Sequence, residues 1–331
     1  MKLRVMAEIL YSDSKILQWA RLGSRGVYGQ ILMELAETNS SIIAMSADLG
    51  NSSGLDRFKS NYPDKFLNIG IAEQNMIGVA AGLAKDGFVV FATSFAPFIT
   101  MRASEQIRMN LGYMNLNVKA VSIGSGVSMA FLGNSHFGLE DASIMRSIPN
   151  ITVISPADCA EIVKTVFAAA DFEGPMYIRL TGAVNNPVVY KDDYDFKIGK
   201  AVTIKEGHDI TIFANGTMVY ESLEASKILE SHGISASVIN MHTIKPLDTE
   251  AIDKAIKTSS LIVSVEEHNV IGGLGGAIAE YKTQFNNAPP QLILGLPDIF
   301  LKTGEYRYLL EKYELVGNKI AQKILNKIKI K

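Results

Sequence analysis

The sequence predicts an α/β protein built of two doubly wound, mainly parallel, three-layer α/β/α domains. Three observations lead there. Short apolar runs bounded by turn residues alternate with longer stretches of helical spacing, the pattern of parallel strands buried on both faces. That alternation occurs twice, on either side of a polar and charged seam. The 331 residues also exceed what one ordinary core holds, and 47% apolar with 20% charged residues is a globular composition.

In the first unit, strands are expected at Ser41–Ser46, Phe66–Ile69, Phe88–Ala92, Val118–Ile123, Thr152–Ile154 and Met176–Leu180. Helices fit Val27–Glu37, Glu73–Ala84 and Ala160–Ala170. Crossovers between parallel strands are right-handed, so a doubly wound layer is the economical arrangement. The seam runs from Asn185-Asn186-Pro187 to Lys200, with four charges in Lys191–Asp195. Beyond it, strands are expected at Asp209–Ala214, Ser235–Asn240, Leu261–Val265 and Gln291–Leu296, and helices at Val219–Ser231, Asp248–Lys257 and Gly275–Phe285. The domains are accordingly expected at 20–185 and 206–331, with 186–205 as linker. The tail Val316–Lys331 is a basic amphipathic helix, expected to dock on its own domain with its lysines solvated; membrane binding is the alternative.

Composition excludes several classes. A net charge of −2, with both signs mixed, gives no footprint for nucleic acid or an anionic membrane surface. Cys159 is the single cysteine, which leaves no intrachain disulfide and no cysteine-rich zinc site. It is expected as a small buried residue at a helix start, not as a nucleophile. The start, Met1–Glu8, lacks the apolar core of a leader, and no uncharged run reaches the length that spans a bilayer, so a cytoplasmic protein is expected.

Glu73 stands out by position. The strand Phe66–Ile69 ends at Gly70, and ligands of open α/β sheets gather beyond the carboxyl ends of strands. An acid in a first helical turn also gains from the helix dipole, so Glu73 reads either as a capping acid or as a site carboxylate. The helix that follows, Asn75–Ala84, is nearly free of charge and rich in small residues, so a close neighbour would desolvate the carboxyl and make it a proton donor near neutral pH.

Gly70-Ile71-Ala72-Glu73-Gln74-Asn75 resembles the pyrimidine-domain motif of transketolases and 1-deoxyxylulose-phosphate synthases. That resemblance implies thiamine diphosphate as cofactor, with Glu73 on N1′ of its aminopyrimidine, promoting proton removal from C2 of the thiazolium. Ala92–Arg102 is similar to the aromatic segment of the family, which implies that Phe95 and Phe98 stack on the aminopyrimidine, with Met101 where transketolases often carry Tyr. By spacing alone, Phe95 and Phe98 would read as helix core. Ser46-Ala47-Asp48-Leu49 resembles the Ser-Ala-Asp-Leu of transketolases and brings Asp48 to the cofactor. Leu132-Gly133-Asn134-Ser135-His136 is similar to the segment with the substrate-binding histidine, which makes His136 a catalytic and substrate-binding candidate. Lys245–Asp248, Val265–His268 and Gly272–Gly275 resemble the C-terminal domain of the family, so the likeness covers nearly the whole chain from Leu22.

Two departures matter. The family also needs a Gly-Asp-Gly motif for Mg²⁺ and the diphosphate, and this chain has none. The resemblance therefore implies a separate N-terminal, diphosphate-binding transketolase subunit, an α₂β₂ assembly, and Mg²⁺ held by that partner. Second, the family's sugar-phosphate contacts are depleted. Leu132 replaces an acid, Gly124-Ser125-Gly126 replaces a segment with a phosphate-contacting His, and Gly182 stands where many members have Arg. Arg25 and Ser52 align with two remaining phosphate contacts. The expected activity is transfer of a two-carbon ketol unit from a ketose donor to an aldehyde or keto-sugar acceptor. The expected substrate is not a simple pentose phosphate but a ketose with a different anionic group, or a nucleotide-linked keto-sugar that receives the two-carbon branch. A pyruvate-using carboligase, the β subunit of a 2-oxo acid dehydrogenase and a catalytically silent scaffold are the alternatives. The other histidines, His208, His232, His242 and His268, show no metal-ligand spacing and are expected in structural or solvated positions.

Overall fold

The structure is a computed structural model that describes residues 11–329. Met1–Glu8 and the last two residues of the basic tail lie outside the described residues. The first domain holds β1 (Ile42–Ser46), β2 (Phe66–Asn68), β3 (Val89–Phe95), β4 (Val118–Ile123), β5 (Thr152–Ile154) and β6 (Met176–Arg179). The second holds β7 (Val202–Lys205), β8 (Ile210–Ala214), β9 (Ala236–Asn240), β10 (Thr243–Lys245), β11 (Leu261–Asn269) and β12 (Gln291–Leu296). Helices pack between and over them: α1 (Asp13–Thr38), α2 (Asp56–Asn61), α3 (Glu73–Lys85), α4 (Asp141–Ser147), α5 (Cys159–Asp171), α6 (Met218–Ser231), α7 (Thr249–Thr258), α8 (Leu274–Lys282), α9 (Tyr306–Lys312) and α10 (Gly317–Lys329).

The first sheet has seven strands in the order β10-β5-β6-β4-β3-β1-β2. All its pairings are parallel except β10 with β5, where Thr243 faces Ile154 and Lys245 faces Val153. The second sheet runs β12-β11-β8-β9-β7, with β7 antiparallel at its edge. Every residue of β1, β3, β4 and β8 is buried, which explains why apolar residues occupy both faces of these strands and why their few polar side chains, Lys119 included, are enclosed. All the anticipated strands form. Two do not stand out in the sequence, β7 and β10, each too short to show a period of its own.

Helix α1 starts at Asp13, earlier than Val27, capped by Ser12, whose Oγ accepts from the Lys15 amide at 3.4 Å. It breaks at Gly23 (φ 79°), where a Cβ would lie 2.6 Å from the Ala183 carbonyl oxygen. Asp158 caps α5: one carboxylate oxygen accepts from Glu161 N at 2.9 Å, the other from Val189 N and Tyr190 N at 2.7 and 2.9 Å. The seam is thereby seated on a helix end. Cys159 opens α5 and is buried, with its thiol pushed up to about 12 by desolvation and then by the Asp158 charge.

At the domain junction Arg179 is buried; its Nε donates to Asp141 Oδ2 at 2.8 Å and its Nη2 to the carbonyls of Gly138 and Glu267. The tail docks as expected. In α10, Ile320, Ala321, Ile324 and Leu325 are buried and the helix lies against α6. His242 is buried against the Phe196 ring (4.5 Å between centroids) and His268 is buried in β11, while His208 and His232 are exposed.

Candidate active site

Strand order reverses around β1: the chain moves outward to β2 and then crosses back to β3 on the other side. Such a switch point leaves a crevice beyond the carboxyl ends of the strands, and most of the anticipated site residues lie on the segments leaving β1, β2, β3 and β4 there.

After β1, Asp48 sits in the left-handed region (φ 60°). It is held by Asn68 at the end of β2: Asp48 N donates to Asn68 Oδ1 at 2.9 Å and Asn68 Nδ2 donates to Asp48 Oδ1 at 3.0 Å. A left-handed non-glycine residue so clamped is strain kept at a site. Asp48 itself is exposed at the crevice. Two further candidates meet nearby, where Arg25 Nη1 donates to the Ser52 carbonyl at 3.2 Å.

After β2, Gly70 (φ 76°) turns the chain and α3 begins at Glu73. The N-cap residue Ala72 has no side chain to cap the helix, and Glu73 stands in the first turn, where the helix dipole favours an acid. Its carboxylate turns inward and is 1% exposed. Oε1 accepts from Ser94 Oγ at 3.1 Å, and Oε2 accepts from Arg102 Nη1 at 2.8 Å. The acid that the sequence presents as solitary therefore has a counter-charge. A buried carboxylate needs one, because its desolvation otherwise costs several kcal/mol.

After β3 the chain forms a π-helical turn, Phe98–Arg102, and a second, Ile107–Tyr113. Such turns are rare and recur at functional sites. The end of β3 supplies Phe95, and the first turn supplies Phe98 and Arg102. Phe95 and Phe98 meet edge to face with centroids 5.9 Å apart, and the Arg102 guanidinium lies 4.3 Å from the Phe98 centroid. His136 closes the group, 5.3 Å from Phe95 and 5.2 Å from Phe98. Its Nδ1 shares a 2.9 Å hydrogen bond with Ser135 Oγ, and burial pulls its pKa below the ordinary value. Met101, in contrast, is 43% exposed beside Arg102.

The segments expected to have lost phosphate contacts are physically filled. A Cβ on Gly124 would lie 2.4 Å from Met129 Sδ, one on Gly126 2.1 Å from Glu267 Oε1, and one on Gly182 2.4 Å from Asn186 Oδ1. The glycine-rich Gly272–Gly276 is occupied as well, since Glu266 accepts from Leu274 N and Gly275 N at 2.7 and 2.9 Å. Sequence reasoning did not single out Arg102, Ser94, Asn68 or Glu267. Arg102 carried one signal, its four-residue distance from Phe98.

The aromatic wall beside a buried, hydrogen-bonded carboxylate fits the flat, polar-edged half of thiamine diphosphate. Among the described residues, no group of three or more His, Cys, Asp or Glu side chains could hold a metal ion, and no helix is long and apolar enough to cross a membrane.

The family model described as "Transketolase, pyrimidine binding domain" matches residues 21–183, and that described as "Transketolase, C-terminal domain" matches 199–320. A 6-deoxy-6-sulfo-D-fructose transketolase subunit of Clostridium sp. is 39% identical, over 90% of this chain and 92% of its own. An apulose-4-phosphate transketolase subunit of Phocaeicola vulgatus is 35% identical, over 93% of this chain and 98% of its own. Among solved structures, one described as a split gene transketolase in an inactive beta4 tetramer superposes with a TM-score of 0.82 at 40% identity, covering 92% of this chain and 97% of that one.

Proposed function

The chain belongs to the transketolase family as a C-terminal-type subunit, and from that premise we propose that it transfers a two-carbon ketol unit from a ketose to an aldehyde or keto-sugar acceptor, at a site completed by a separate diphosphate-binding subunit. The observation that carries this reading is the buried Glu73 carboxylate, joined through Arg102 to the Phe98 ring, which in turn meets Phe95 and His136. Thiamine diphosphate, when bound, supplies the carbon nucleophile of ketol transfer.

Each residue has a task suited to its surroundings. Glu73 holds a proton at the aminopyrimidine edge, and Ser94 and Arg102 fix the direction of its two oxygens. Phe95 and Phe98 form a flat apolar wall that orients the ring and excludes water. Asp48, at the mouth of β1, faces the cofactor, and Met101 borders it. His136, whose burial favours the neutral imidazole, hydrogen-bonds the sugar and can accept a proton from it. Arg25 and Ser52 lie further out, placed to meet an anionic end of the sugar. The metal and diphosphate are assigned to the partner, in an α₂β₂ assembly. Exposed Ile71, Met101, Tyr113 and Met114, on the turn before α3 and on or just after the two π-helical turns packed against that helix, supply apolar surface for that contact.

The substrate is assigned as a ketose other than a simple pentose phosphate. Filled positions at Gly124, Gly126 and Gly182 and an exposed Leu132 remove charge-assisted contacts, each of which contributes roughly 1.5–3 kcal/mol. The test is reconstitution with a diphosphate-binding transketolase subunit, Mg²⁺ and thiamine diphosphate. Xylulose 5-phosphate, 6-deoxy-6-sulfo-D-fructose and apulose 4-phosphate would be compared as sugars, with pyruvate as the control for the carboligase alternative. Turnover should need both chains. Equal turnover of xylulose 5-phosphate would sink the substrate assignment, CO₂ release from pyruvate the ketol-transfer reading, and full activity in Glu73→Ala the catalytic one.

A further inference from the structure

The segment Gly124–Gly138 carries His136, and the C-terminal domain grips it at two separate points. The first grip is Glu267, fully buried in β11. Its Oε1 accepts from Val127 N at 2.7 Å; its Oε2 accepts from the Thr217 and Tyr306 hydroxyls, both at 2.8 Å. Gly126 (φ 67°) has no room for a side chain because this carboxylate occupies it. Gly126 and Gly138 then exchange two backbone hydrogen bonds, at 2.9 and 3.0 Å, so the grip at one end of the loop is passed to the other.

The second grip is Asn134. Its Nδ2 donates to the Leu301 carbonyl at 2.6 Å, and its Oδ1 accepts from Leu301 N at 2.8 Å. Both polar groups of one residue's backbone, in the loop after β12, are thus satisfied by one side-chain amide. The adjacent Gly133 (φ 70°) packs on Thr303, where a Cβ would lie 2.5 Å from Cγ2. Between the grips, Phe131 and Leu132 stand in solvent. A loop pinned inside its span loses most of the freedom that would otherwise blur the position of His136.

We propose that the C-terminal domain sets the position of His136 through this two-point clasp, with Glu267 and Asn134 as positioning residues, so that this domain takes part in substrate selection. The proposal rests on the reading that His136 meets the sugar. A displacement of about 1 Å at a group that meets the substrate costs up to about 10²-fold in kcat/KM, so small losses of restraint are measurable.

The test uses the two-subunit enzyme carrying Asn134→Ala, Asn134→Asp, Glu267→Gln or His136→Ala. Hydrogen exchange by mass spectrometry is read without substrate, and kinetics are read with whichever ketose of the panel above turns over best. Asn134→Ala should speed exchange in 126–138 and raise KM about tenfold with kcat within about twofold. Asn134→Asp keeps the acceptor to Leu301 N but sets a carboxylate oxygen against the Leu301 carbonyl, so its effect should be at least as large as that of Asn134→Ala. Glu267→Gln should speed exchange at Val127 first. Asn134 is exposed on its outer side, so its variants fold even if Glu267→Gln does not. Unchanged exchange in 126–138, or faster exchange with an unaltered KM, overturns the clasp as a positioning device. An unaltered KM in His136→Ala overturns the functional reading and the role of His136 with it. The substrate-free exchange data keep the two failures apart.

Discussion

Arg102 Nη1 lies 2.8 Å from Glu73 Oε2, and the same guanidinium covers the Phe98 ring at 4.3 Å. One cation thus answers both the buried carboxylate and the aromatic wall. Replacing it tests both contacts. Arg102→Ala leaves the Glu73 carboxylate, 1% exposed, with Ser94 as its one remaining partner, and because Arg102 itself is 45% exposed the loss should be about 2–3 kcal/mol, below that of a fully buried pair, seen as a lower denaturant midpoint at unchanged slope. Arg102→Lys should fall between, because it keeps the charge and loses the flat contact with Phe98.

Glu73→Gln keeps the volume and an acceptor for Ser94 Oγ but lacks the acid. In the reconstituted enzyme kcat should drop by roughly 10²–10⁴-fold, the range general acid–base catalysis contributes. The denaturation midpoint should stay close to wild type, since Arg102 is left facing solvent. A variant with full kcat removes Glu73 from the mechanism.

Phe98 packs against the core without being fully enclosed, so Phe98→Leu should fold. It should weaken thiamine diphosphate binding about tenfold, near 1.4 kcal/mol, as titration calorimetry on the two-subunit enzyme would show. Phe95 is 6% exposed and belongs to the core, so Phe95→Ala should also cost stability, about 3–5 kcal/mol.

The pH dependence follows from the depressed pKa of His136. Burial disfavours the imidazolium, so the neutral ring persists below the ordinary value of 6.5 and is lost only as pH falls through the lower folded value. The unfolded chain binds that proton more readily, so His136 adds stability above pH 6.5 that disappears on acidification. The KM for the sugar should stay flat through pH 6.5 and rise only as the pH falls through the lower folded value. His136→Asn should abolish that acid limb.

Much of this was legible in the sequence. β1, β3 and β4 announced themselves as short runs apolar on both faces because both faces are buried, and Glu73 was conspicuous as an acid between a strand-ending glycine and an uncharged helix. Other features depend on pairings that no local pattern carries. Arg102 reads as a surface cation until π-helical turns bring it onto Glu73. Glu267 looks like one more acid of a motif until β11 delivers it to Val127, far away in the chain. The first half of α1 escaped notice because Gly23, Ser24 and Gly26 interrupt its period.

The antiparallel strand β10 has a thermodynamic consequence. It leaves the second domain, pairs with β5 at the rim of the first sheet, and Lys245 Nζ donates to the Arg146 carbonyl at 3.0 Å. The first sheet is therefore finished by residues lying beyond the connection between the domains. Without them β5 would become a bare rim, open to pairing with other molecules. The two halves should accordingly melt in a single calorimetric transition. A protease cut within residues 186–200 would sever the backbone and leave the folded particle whole.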